Sequence, residues 1–169
     1  METVVGAVAS LVGVLVGAAL ASVASGRQRR LAMTFELHRE LHSTEMIRAR
    51  HAAADLLAQY KGQDYKQIQD QIGALAMRDV HQVIFFFQRL WLAIEHKALK
   101  NEYITRLFGD TFSWWYQASF RAQLVPTHTE VGSDIEALWT WMQQHSTRQQ
   151  RELWRRGEPS DWATQIGAD

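Results

Sequence analysis

Residues Thr3 to Ser25 carry no charged side chain, and Arg27, Arg29 and Arg30 follow at once. As one α-helix this run of 23 residues would be roughly 34 Å long at about 1.5 Å per residue, enough to cross a hydrocarbon core of about 30 Å. It reads as a transmembrane anchor over residues 1–26. Everything after it is then a domain tethered to one face of a bilayer. A cleavable signal peptide would need a basic n-region, whereas only Glu2 precedes the run, although residues 21–24 do resemble a small-residue cleavage site. A buried core helix would be shorter and would show a polar face, which this one lacks. Three arginines directly after the span and none before it predict an N-terminus outside and a cytoplasmic C-terminal domain.

Small residues recur every four positions within the span, at Ala9, Gly13, Gly17 and Ala21. They fall on one stripe of a helix, and Gly13 with Gly17 forms the GxxxG pattern that lets two backbones approach closely. The plainer reading is that Gly and Ala abound in membrane helices generally. If the stripe does pack, the lipid bilayer is one partner and a second copy of the chain, or another membrane protein, is the other.

About 140 residues follow, the usual size of one domain. We expect a single helical domain over residues 27–157 and a short tail over 158–169. Of the 18 acidic residues only Glu2 precedes the basic cluster, leaving 17 against 18 basic ones, so this part carries about +1 and exerts no overall pull on nucleic acid. The absence of cysteine excludes disulfides, thiol catalysis and thiolate metal sites. With only Pro126 and Pro159 and long stretches free of turn signals, the composition is all-α.

In chain order, residues 27–41 predict a helix continuing the anchor, with Leu31, Phe35, Leu37 and Leu41 as its apolar stripe. Ser43 caps a second helix reaching about Tyr60, and Asp64 with Gln67 forms a capping-box pattern for a short third one through Ile72. The central core helix follows, about Met77 to Lys97, with Val80, Val83, Ile84, Phe87, Leu90, Trp91 and Ile94 at helical spacing. Asn101 would cap a short helix ended by Gly109. An aromatic helix over about Asp110 to Leu124 would be closed by Pro126, and one long helix would run from about Ser133 to Arg156.

Thr34-Phe35-Glu36-Leu37, Ala49-Arg50, Leu56-Leu57, Ile84-Phe85-Phe86-Phe87 through Leu90, Ala93 and Ile94, then Leu107-Phe108-Gly109 and Trp114-Trp115 form a set of landmarks. Together they resemble a bacterial domain-of-unknown-function family of small proteins with one N-terminal membrane span and a helical domain. The resemblance covers roughly residues 3–125. It implies that fold and a bacterial inner membrane, and it carries over no catalytic residue, substrate or cofactor.

Catalytic signatures are absent from the sequence. There is no Gly-x-Ser-x-Gly elbow, no Walker A motif and no dinucleotide fingerprint. Ser113 and Ser119 lie in aromatic helical sequence, where a hydroxyl tends to bond back to the backbone. The carboxylate pairs Asp64 with Asp70 and Glu130 with Asp134 sit on polar helical faces. His38 and His42 share a helical face at metal-bridging spacing, but no third ligand stands near them, and an interfacial histidine pair is the plainer reading. The remaining histidines are scattered. No cofactor, metal or small-molecule substrate is therefore expected.

Seven tryptophans are many for so short a chain. Trp91, Trp115 and Trp139 fall at core spacing, leaving the others for outer faces. Trp154 stands among Arg148, Arg151, Arg155 and Arg156, a basic aromatic helix end that suits anionic headgroups or a partner protein. Three function classes are thus expected: a membrane-anchored interaction module or adaptor, an accessory subunit of a larger membrane complex packed through its small-residue stripe, or an enzyme with an unrecognised site. If the stripe pairs helices, Gly13→Ile and Gly17→Ile should each weaken association in a membrane reporter while Val12→Ile leaves it unchanged. Equal effects at all three positions would count against the stripe.

Overall fold

The computed structural model describes residues 25–156, which are all-helical, with no strand among them. The span over residues 3–24 and its stripe at Ala9, Gly13, Gly17 and Ala21 lie outside the described residues, as do Trp162 and the tail. No helix among the described residues is long and apolar enough to cross a membrane. In chain order the elements are α1 (25–41), α2 (Thr44–Gln59), α3 (Tyr65–Ile72), α4 (Arg78–Glu95), α5 (Asn101–Trp115), a π-helical turn (Tyr116–Leu124), a short 3₁₀ turn (Val125–Thr127), α6 (Glu130–His145) and α7 (Arg148–Arg156).

Local chemistry explains the first boundaries. The Ser43 hydroxyl accepts the Met46 amide at 3.2 Å, and Asp64 with Gln67 closes a complete capping box, so both caps form where the residue pattern places them. The buried stripe of α1 is shifted, however. Thr34, Leu37 and Leu41 face inward, while Phe35 is exposed and packs against Tyr103 at 5.9 Å between ring centroids. Thr34 satisfies its hydroxyl twice, donating to the Arg30 carbonyl at 2.7 Å and accepting the Lys100 amide at 3.0 Å. That second bond occupies the N-terminal end of α5, so Lys100 rather than Asn101 is the capping position.

Helix α4 is the centre of the bundle, packed chiefly against α2 and α6. Its Val80, Val83, Ile84, Phe86, Phe87, Leu90, Ala93 and Ile94 are all buried. Phe86 is buried and Phe85 is half exposed, stacked on His81, while Trp91 packs only at the edge of the core. Phe87 meets Phe112 at 5.1 Å and Phe120 at 6.0 Å, joining α4 to α5 and the π-helical turn. The Gln88 amide donates to Asp134 at 2.8 Å and ties α4 to α6, so that carboxylate is engaged rather than merely solvated.

Two predicted boundaries are overturned. Helix α5 runs straight through Gly109 to Trp115, and the segment 133–156 is two helices that part at Ser146, whose backbone is extended (φ −87°, ψ 156°). Both differences have one cause. The break turns α7 back onto α5, where Trp154 is buried with its ring against Gly109. A Cβ at that position would lie 2.6 Å from Trp154 Cζ2, closer than packed atoms approach. The glycine is thus a seat for an indole ring and not a helix stop. Thr147 and Gln150 close a capping box at the start of α7, with Thr147 N to Gln150 Oε1 at 2.9 Å and Gln150 N to Thr147 Oγ1 at 3.2 Å. Helix α6 also starts earlier than its sequence pattern indicates, capped by Thr129, whose hydroxyl accepts the Gly132 amide at 3.2 Å.

The π-helical turn carries no sequence signature. Its wider register buries Tyr116, Ser119, Phe120, Gln123 and Leu124 together. It also aims the Gln123 amide at the Leu57 and Tyr60 carbonyls, at 3.2 and 3.3 Å, near the C-terminal end of α2 where carbonyls lack helical partners. Gly109→Ala should lower unfolding stability by about 1–3 kcal/mol, the usual effect of forcing a methyl into a packed site. Urea unfolding followed by tryptophan fluorescence measures it, and an unchanged midpoint would show that Trp154 moves aside without cost.

Candidate functional site

Helix α7 shows why residue type alone misplaces this surface. Trp154 is buried, contrary to its expected position on an outer basic face. Its indole N–H donates to Asp110 Oδ1 at 2.7 Å, and its ring lies 6.1 Å from that of Trp139. The Gln117 amide donates to the Trp154 carbonyl. Trp139 in turn stacks nearly flat on Tyr116 at 4.4 Å, so the indole of Trp154 ends an aromatic series that starts in α4. Helix α7 therefore belongs to the core.

Its arginines divide by role. Arg151 donates from Nη1 to the carbonyls of Gln143 and Ser146, at 2.8 and 2.9 Å, and so satisfies the carbonyl end of α6. Arg148 pairs with Glu152 at 3.1 Å on the exposed face, an interaction worth little in water. Arg155 and Arg156 are exposed, with no ion pair to another described residue. The candidate contact surface on this helix thus narrows to Arg148, Arg155 and Arg156.

A second exposed basic surface lies at the other end of the described chain. Arg27, Arg29 and Arg30 all face solvent on the first turns of α1, and the first buried residue of that helix is Thr34. Of the nine residues before it, about 13 Å of helix at about 1.5 Å per residue, none is fully buried and only Gly26 and Leu31 are partly covered. Met33 and Phe35 add apolar surface beside this basic turn.

His38 and His42 stack with ring centroids 4.5 Å apart, and His38 also meets the edge of Phe108 at 6.0 Å. With Arg106, Leu107, Asp110 and Thr111 of α5 they line a cavity of about 190 Å³ that opens to solvent. Burial lowers the pKa of both imidazoles, and for His42 the nearby His38 and Arg50 lower it further. Both shifts favour the neutral imidazole. Among the described residues no group of three or more His, Asp or Glu side chains converges as a metal site would require. The sequence pairs the histidines correctly. It does not show that α5 supplies the facing wall, because Arg106 and Asp110 become neighbours of His38 only through tertiary packing.

No protein-family model matches this chain, and no curated protein or solved structure matches it. The surfaces are accordingly interpreted from their own chemistry. Trp154→Ala should cost about 3–5 kcal/mol of stability, the range for deleting a large buried ring. Truncation after Ser146 should lower the unfolding midpoint at least as much. Circular dichroism with urea titration reads both, and a truncated chain that unfolds like the full one would place α7 outside the core.

Proposed function

We propose that this chain is a membrane-anchored helical adaptor, its domain held at the cytoplasmic face of a bacterial inner membrane by residues 3–25. The observation that carries this reading is the sequence of events along the N-terminal third. An uncharged stretch long enough to span a bilayer leads into a helix whose first turns expose Arg27, Arg29 and Arg30, and only at Thr34 does the bundle begin to bury the chain. The exposed turns suit a short stalk, with the arginines at headgroup level and the bundle held clear of the surface. Arg148, Arg155 and Arg156 offer a second cationic face for an acidic protein partner or anionic lipid.

The small-residue stripe at Ala9, Gly13, Gly17 and Ala21 favours a second reading, an accessory subunit whose span packs against the helices of a larger membrane complex. Purification in mild detergent separates the two, since an accessory subunit travels with a fixed complex. Orientation is tested by reporters. A fusion after Asp169 should be active only in a cytoplasmic form, and neutralising Arg27, Arg29 and Arg30 together should give mixed orientation. Activity of a periplasmic reporter at the C-terminus would overturn the orientation, and a chain recovered wholly in the aqueous fraction would overturn the anchor.

A further inference from the structure

Six large apolar side chains of the described residues are exposed, and three of them, Met33, Phe85 and Leu92, fall on the outer sides of α1 and α4. The other three have local explanations. Phe35 packs on Tyr103, Trp114 on Trp115, and Leu75 occupies the turn before α4. Met33, Glu36 and Glu40 share one side of α1 at i, i+3 and i+7, away from the side that carries His38 and His42. Phe85, Arg89 and Leu92 share the outer side of α4 at i, i+4 and i+7. Arg89 pairs with Glu40 while both stay partly exposed, so the two strips adjoin. Thr34 meets Lys100 just beyond the end of α4, which makes the two helices antiparallel neighbours.

The seam so formed is acidic along α1, at Glu36 and Glu40, and basic along α4, at Arg89, with Phe85 and Leu92 beside that arginine. Glu36 has no ion pair to a described residue. A two-fold axis parallel to both helices sets α1 of one copy against α4 of the next, and it thereby places each sign opposite the other. The membrane supplies that direction, because two copies threaded the same way through one bilayer carry their α1 helices in parallel. In this respect the inference rests on the anchor proposed above. Lipid does not suit the seam, since a bilayer covers the end of the bundle from which α1 emerges and not a face that runs away from it along that helix.

We propose that the α1–α4 seam binds a second copy of this chain in a parallel two-fold pair, with Met33 and Glu36 of each copy against α4 of the other. The heights agree. Counting about 1.5 Å per residue from the Glu40–Arg89 contact, Glu36 lies about 6 Å along α1 and Leu92 about 4.5 Å along α4 in the same direction, level to within about 2 Å. A parallel axis keeps that level across the pair, so Glu36 faces the partner's Leu92 and its carboxylate comes within reach of the partner's Arg89. Leu92 then stands near the middle of a contact that runs about 16 Å, from the level of Met33 to that of Phe85.

The chain contains no cysteine, so Glu36→Cys and Leu92→Cys each carry a single thiol. Full-length chains of the two kinds, co-expressed and oxidised in membranes, should cross-link to each other far more than either does to itself. By the same count Phe85 stands about 10 Å from the level of Leu92, so Phe85→Cys with Leu92→Cys should link poorly. In nonionic detergent the full chain should show the mass of a dimer by light scattering, and Leu92→Glu should weaken that pair by on the order of tenfold or more, because it buries a charge in the contact. Leu75→Glu, at an exposed apolar residue outside the seam, should change nothing, and circular dichroism checks that both variants fold. A Glu36–Leu92 link in chains recovered from the aqueous fraction would uphold the seam while overturning the anchor. An efficient Phe85–Leu92 link without a Glu36–Leu92 link would mean an antiparallel pair and overturn the proposal. So would a monomeric parent, or a dimer that gives no Glu36–Leu92 link and that Leu92→Glu leaves intact.

Discussion

The rest of the bundle depends on the broad buried face of α4, which leaves exposed a stripe that includes Phe85, Arg89 and Leu92. Phe86, Phe87 and Leu90 lie on one broad face of the helix, where Phe86 and Phe87 meet Phe108 and Phe112 of α5 and Phe87 also meets Phe120 of the π-helical turn, while α2 and α6 make the most extensive contacts with the same helix. Phe87 alone touches rings from two following elements. Aromatic pairs of this type add about 0.5–1.5 kcal/mol beyond their area, and they also fix the relative rotation of the helices that carry them. The two polar ties from α4 and its following turn, Gln88 to Asp134 and Lys100 to Thr34, then set the register of α6 and α1 against that core.

Trp154 has the second largest effect on the shape. Its ring needs a flat seat without a Cβ, which Gly109 supplies inside an unbroken α5, and it needs α7 to double back, which the extended backbone at Ser146 supplies. The indole N–H then finds Asp110 one residue after its seat. Glycine in a helix interior ordinarily costs about 1 kcal/mol relative to alanine, a small penalty beside the burial of an indole ring. Arg151 serves the same turn by satisfying the carbonyls that the break leaves open.

Charge in this molecule follows two rules. On the surface it is spread and mostly unpaired, with Arg27, Arg29 and Arg30 at one end and Arg148, Arg155 and Arg156 at the other, a distribution consistent with contact to anionic surfaces. Inside, Arg50 breaks an otherwise apolar face of α2. That interruption is visible in the sequence, as an arginine at the i+4 position after Met46 and three before Ala53. Only the packed structure shows that no acid among the described residues pairs with it.

The sequence by itself determined which stretches are helical up to α4, because caps at Ser43 and Asp64 and apolar periodicity are local properties that act within a turn or two of the chain. It also determined the uncharged run before Arg27 and the central place of α4. Tertiary structure decided the remainder. Whether Gly109 stops a helix or seats a ring, whether Trp154 faces water or the core, and whether 133–156 is one helix or two all depend on a partner 37 to 45 residues away in sequence. The π-helical register of Tyr116–Leu124 was likewise set by distant groups, the open carbonyls of α2 and the ring of Phe87. The candidate site divides in the same way. The pairing of His38 with His42 follows from helix geometry, whereas Arg106 and Asp110 join it only because α5 packs against α1, an arrangement that no local periodicity encodes.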